Sequence, residues 1–265
     1  MVPMVVRLIK IWLMVSSRAT QAQLLTNWSG LLFTLGKIAR FLLFYVFLFT
    51  VLSSAQILAG YKREQVIFFF LVFNIVDITI QSFYRGVYHF RPLVVSGDYD
   101  LELLKPLPSF FRPIFGWADV LDAITLVPLW GYFLWFIFNQ QLFAGFGDLI
   151  LFFVLLINAL VLAFAFHLFV CAVCVLTTEI DHLVWVYRDL TNMARFPTDI
   201  YQKGIQYVLT FTIPVVILIT VPAKALLGLL SWQWIALAFI ISGVFLWGSL
   251  KFWRYALRQY SSASS

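Results

Sequence analysis

Charged residues are scarce in this 265-residue sequence: 11% of it is Asp, Glu, Lys or Arg, while 63% is hydrophobic. A soluble domain carries roughly 25% charged residues, so an ordinary water-exposed globule is excluded. Cysteine is nearly absent. Cys171 and Cys174 share one apolar run, which excludes a disulfide scaffold, and their neighbours Val170, Ala172, Val173 and Val175 suit helix packing better than a redox or metal pair. The three histidines, His89, His167 and His182, are far apart, and none has a partner at metalloprotease spacing. His182 follows Glu179 and Asp181 at the end of an apolar run and reads as a solvated helix end. No phosphate cradle is present either. Gly30, Gly36 and Lys37 are spaced one residue too long, and Ile38 stands where a magnesium-holding hydroxyl is needed. With no nucleophile elbow as well, the chain is not expected to be an enzyme or to carry a cofactor.

What fills the sequence instead is apolar and aromatic bulk, including 29 Phe and 10 Trp spread over its whole length. Crossing roughly 30 Å of hydrocarbon takes about 20 apolar residues in a helix. Six runs come close, and they predict an all-α integral membrane fold in one domain over residues 1–260: Phe41 to Leu58, Val66 to Phe83, Val120 to Phe138, Leu149 to Leu176, Ile205 to Val221, and Trp234 to Leu250. Pro214 and Pro222 are expected to kink or end the fifth. Residues 261–265 are read as a disordered tail.

The net charge of +6 lies in short loops between these runs, which argues for membrane orientation and against nucleic acid. With the N-terminus inside, 15 of the 18 basic residues fall on the cytoplasmic side, including Arg188, Arg195 and Lys203 between the fourth and fifth runs. Lys62, Arg63 and Lys224 are outside. Both termini are therefore expected in the cytoplasm, in a cell (inner or plasma) membrane. Before the first run, Arg7, Lys10, Ser17, Arg18 and Gln21 gather on one helical face, predicting a helix in the inner interface with its basic face toward headgroups or a partner.

Two clusters could carry function. Asn74, Asp77 and Gln81 lie within a narrow arc of the second span. A carboxylate held mid-membrane costs roughly 2.5 to 3.5 kcal/mol on insertion scales, so this arc faces the protein interior or water: either a substrate path or a polar helix–helix contact. The second cluster is in the loop after that span. A short helix is predicted there, opened by Gly97, capped by Asp98 and stopped by Pro106, with Asp98, Glu102 and Lys105 on one face and Leu101 and Leu104 on an apolar strip beside it. Such a helix, fixed to two spans, suits docking to a cytoplasmic partner.

The block Val95-Ser96-Gly97-Asp98-Tyr99-Asp100, continuing into Leu103-Leu104-Lys105-Pro106-Leu107, resembles the ABC-2 family transporter proteins, six-span permeases. Ala59-Gly60-Tyr61, Tyr84-Arg85, Trp185, Phe196-Pro197, Ile213-Pro214 and Pro222 extend the resemblance over nearly the whole chain. It departs from the family in having Lys105 where Arg is commoner and in lacking a Tyr-Arg pair near Arg18. The resemblance implies the permease subunit of an ABC exporter, paired with itself or a similar permease. Each half would bind a separate ABC ATPase that carries the ATP and magnesium. It further implies that Asp98, Asp100, Leu101, Glu102, Leu104 and Lys105 belong to the coupling helix. The alternative from the residues alone is an ATP-independent secondary transporter or channel. Such proteins more often show inverted repeats or several intramembrane charges, and here only Asp77 stands out.

Overall fold

The computed structural model describes residues 4–25, 28–54, 57–58, 60–118, 120–143, 145–178 and 181–261, and almost all of it is helical. Five described helices are long and apolar enough to cross a membrane. α1 (Met4–Leu25) and α2 (Trp28–Ser54) are followed by a two-stranded hairpin, β1 (Ile57–Leu58) and β2 (Tyr61–Lys62), which opens α3 (Arg63–Tyr84). The first expected run is therefore displaced. Its apolar stretch is Leu35–Leu52 within α2, and its expected end, Ile57 and Leu58, is instead the first strand of a hairpin whose turn includes Gly60 at φ of 86°.

α3 is the axis of the molecule, with Val66 through Phe73 all buried. After Tyr84 comes one 3₁₀ turn (Arg85–His89), then α4 (Phe90–Ser96), α5 (Asp98–Leu103) and α6 (Phe111–Phe115). Gly86 is packed so closely on α6 that a Cβ there would sit 2.6 Å from the carbonyl oxygens of Pro113 and Ile114. α7 (Val120–Asn139), α8 (Phe146–Thr177) and α12 (Trp232–Gln259) complete the long helices.

Ring contacts fix the directions. Phe68 stacks on Phe133 and Phe133 on Phe152, while Tyr84 meets Phe164, so α7 runs antiparallel to α3 and α8 runs parallel to it. Phe169 stacks on Phe252, and Asn158 donates to the Ala238 carbonyl, so α12 lies parallel to α8. Cys171 and Cys174 are both buried in this core. α2 is antiparallel to α3, with Phe41 and Phe44 on Phe70 and Arg63 over Phe49. α1 lies at the Tyr84 end, where Trp12 stacks on Phe83, and Arg7, Lys10, Ser17, Arg18 and Gln21 are all exposed.

Between α8 and α12 the structure departs from expectation. α9 (Asp181–Asn192) begins near the Tyr84 end, its Tyr187 stacked on Phe166. Arg195 then lies over Phe73 midway along α3, and Asp199 reaches the far end, accepting from the Tyr61 hydroxyl and from Lys224 at 2.8 Å each. Arg188 and Arg195 are thus not in a loop at one end: residues 181–200 climb the length of α3. The run from Ile205 to Val221 is correspondingly not one straight helix. α10 (Lys203–Tyr207) continues through a π-helical turn to Thr212, and a second π turn from Val216 feeds α11 (Val221–Leu226); the two arms are bent by 84°. Each arm rises only about 15 Å, half a bilayer core. Pro214 lies in the bend, whereas Pro222 falls just past the point where the second π turn passes into α11, and the helix continues through it to Leu226. Of the expected tail, residues 262–265 lie outside the described residues.

Candidate functional site: a charged cavity and a displayed helix

A cavity of about 420 Å³ opens between α2, α3, α7 and the α9 segment. Asn74, Asp77 and Gln81 all line it, so the arc read on the second span does face one space. Asn74 Nδ2 donates 2.7 Å to the Phe70 carbonyl of its own helix, and the Gln81 amide donates to the half-buried Asp77 carboxylate. Arg40, Arg188 and Arg195 reach the same cavity and act electrostatically on Asp77. The Arg195 guanidinium is sandwiched between Phe44 and Phe73, 5.1 and 5.3 Å from the ring centroids, and donates 2.8 Å to Asn192 Oδ1. Stacked cation–π contacts of this kind hold a guanidinium at fixed depth.

At the α1 end of the cavity, Asp122 is 1% exposed and accepts from Lys37 and, at 3.2 Å, from Arg85 Nη1. It ties α2, α7 and the turn after α3 together. At the other end the Tyr45 and Tyr132 hydroxyls meet at 2.7 Å. Sequence reading missed Asp122 and the three arginines. As sequence, the arginines read as loop charges, and Asp122 sits at the edge of an apolar run. The one available signal was that Arg188 lies among Val184, Tyr187 and Thr191, a helical stripe that turns out to be buried.

The second cluster is α5. Tyr99 anchors it: the ring is fully buried edge-on against Phe90 and Tyr260, and its hydroxyl donates 3.1 Å to the Ser109 carbonyl. Burial pushes the Tyr99 phenol well above its usual pKa. Trp253 Nε1 donates 2.9 Å to Ser109 Oγ, joining the same loop to α12. Gly97 takes the left-handed conformation (φ 81°) that closes α4 and opens α5. Asp98 is the first helical residue rather than the cap, and its carboxylate accepts from Ser96 Oγ at 2.7 Å. Helix ends at Leu103, so Leu104 and Lys105 fall in the turn before Pro106. Glu102 Oε1 accepts from Lys105 at 2.8 Å and pairs with Arg112 at 3.8 Å, while Asp100 is half-buried on the helix. Leu101 and Leu104 are left 62% and 82% exposed.

No curated protein and no solved structure matches the chain. Residues 38–264 match the family described as ABC-2 family transporter protein, which takes in α3 to α12 and the cavity apart from Lys37. The chain is therefore a multi-pass membrane protein belonging to the ABC-2 transporter family.

Proposed function

We propose that this chain is the permease subunit of an ATP-driven exporter, working as a pair with itself or with a similar permease, each half bound to a separate ABC ATPase that holds ATP and Mg²⁺. The observation that carries the reading is α5: a short helix pinned by buried Tyr99 to the core, with Leu101 and Leu104 unpartnered on its outer side. A rigid mount and an apolar tip are what a lever driven from outside needs. No covalent step is assigned to any residue of this chain.

The end of the bundle that carries α5 also carries Arg85, Arg91, Lys105, Arg112, Lys251, Arg254, Arg258 and the basic face of α1. The other end carries Lys62, Arg63, Lys203 and Lys224. Retention of Lys and Arg on the cytoplasmic side makes the α5 end, and both termini, cytoplasmic. The six crossings are α2, α3, α7, α8, residues 181–200 and α12, with the bent pair 203–226 re-entering from the outer face.

The test is Leu101→Ala with Leu104→Ala. Fully burying a leucine side chain contributes roughly 1.5–3 kcal/mol; an interface that buries about half of each would lose about 1.5–3 kcal/mol for the pair, weakening ATPase binding about tenfold to a hundredfold. Membrane expression and thermal stability should be unchanged, since neither side chain packs in the core. Undiminished ATPase copurification would remove α5 from the coupling path.

A further inference from the structure

The cavity is lined by five cations and two carboxylates. Asp122 takes Lys37 and Arg85 in direct ion pairs. Among the described residues no carboxylate forms an ion pair with Arg40, Arg188 or Arg195, and Asp77 acts on all three only at longer range. The Arg195 Nε is buried and has no hydrogen-bond partner among the described residues. Arg188 and Arg195 are half-buried and Arg40 is exposed at the rim, so an excess of positive charge faces a partly desolvated space, and an anion there would complete both the charge and the unused Arg195 donor. Beside these charges and the polar Asn74, Gln81, Thr125 and Tyr132, the wall is apolar, with Phe41, Phe44 and Phe70 together on one stretch of it.

We propose that this cavity binds an amphiphile with an anionic head: the head among Arg40, Arg188 and Arg195, the apolar tail along Phe41, Phe44 and Phe70. The inference rests on the cavity being the permease's substrate path and adds the substrate class. Guanidinium groups suit the task because their fork of donors matches carboxylate and phosphate oxygens. Asp77, set among them, lowers the net charge, so that the anion is held without being trapped. The head would enter from the cytoplasmic half of the bilayer, since Arg188 lies toward the α5 end, over Tyr88, and Arg195 is no farther than the middle of α3.

The test uses the full chain in phosphatidylcholine nanodiscs, with empty discs subtracted. Labelled dodecyl phosphate should bind saturably, and dodecyltrimethylammonium, with the same tail and opposite charge, should neither bind saturably nor compete. Arg188→Gln with Arg195→Gln should weaken dodecyl phosphate about tenfold or more, as losing a desolvated charge partner does. Arg188→Lys with Arg195→Lys should retain more of the affinity, and Asp77→Asn should tighten binding. If the Gln pair does not fold, Asp77→Asn and the charge-reversed probe still decide. Competition by phosphatidylglycerol placed in the disc would make a lipid headgroup the source of the anion; its failure to compete would leave a free amphiphile. Either supports the site. Saturable binding of the cation to the same level, no saturable binding of dodecyl phosphate, or a folded Gln pair that binds as the native chain does would each overturn it. A chain that keeps its ATPase through α5 but binds no dodecyl phosphate would refute the anion site and leave the permease reading standing.

Discussion

Replacing Asp122 with Asn is the sharpest test of how the cavity end of the bundle is held. The carboxylate is 1% exposed and serves two cations at once, Lys37 from α2 and Arg85 at 3.2 Å from the turn after α3. Breaking a buried ion pair by removing one partner costs about 3–5 kcal/mol, because the remaining charge stays desolvated. Here the two cations are 33% and 22% exposed, so water recovers part of that loss and about 2–3 kcal/mol is expected. Lys37→Met removes the more exposed cation and leaves Asp122 paired with Arg85, and should cost about 1 kcal/mol or less. Unfolding of the detergent-solubilised chain, followed by tryptophan fluorescence, gives both values and that of the double variant. The double variant should be less destabilised than the sum, by about 1 kcal/mol or more, as expected for residues in direct contact. An Asp122→Asn effect no larger than that of Lys37→Met, with additive costs, would mean that this cluster does not fasten α2 to α7.

At the opposite end, burial and the hydrogen bond to Asp199 push the Tyr61 phenol above its usual pKa. That stabilisation is fully present below the ordinary tyrosine pKa of about 10 and is lost as pH rises through the raised folded value. Tyr61→Phe should therefore lower stability by about 1–3 kcal/mol near neutral pH, the usual worth of a bond to a charged group. It should also flatten the alkaline limb of the stability profile, and an unaltered limb would show that Tyr61 is not the titrating group. The topology is checked with single cysteines in a chain lacking Cys171 and Cys174: positions 62, 141, 203 and 224 should react with an impermeant thiol reagent in intact cells, and positions 98 and 258 should not. Protection at 203 with labelling at 224 would return residues 181–200 to the cytoplasm.

The long helices were legible in the sequence because length and hydropathy alone decide them; α3, α7 and α8 lie within a few residues of the expected runs, while α12 continues nine residues past Leu250 to Gln259, into a basic stretch that hydropathy does not count. So was the start of the displayed helix, since Gly97 opens it, whereas its end reads two residues too late: helix stops at Leu103, and Leu104 and Lys105 fall in the turn before Pro106. What could not be read was the path from α8 to α12. Residues 181–200 carry too many polar groups to look like a span, yet they pack along the bundle, where Asp77 acts on Arg188 and Arg195 and the rings of Phe44 and Phe73 take the Arg195 guanidinium. The bent pair at Pro214 likewise reads as one apolar run, because hydropathy has no term for direction. The arc of Asn74, Asp77 and Gln81 was identified from helical spacing, but its partners come from three other elements far away in sequence, and no local pattern announces them.

The most direct measurement of the central claim places a photo-reactive amino acid at position 104, where the native leucine is 82% exposed on the α5 side, and at position 229 near the opposite end, where it is 51% exposed. Irradiation of intact membranes should join position 104 to an ABC ATPase subunit and leave position 229 without that adduct. An ATPase that copurifies with the chain but is never captured from position 104, or is captured from 229, would contradict coupling through this helix.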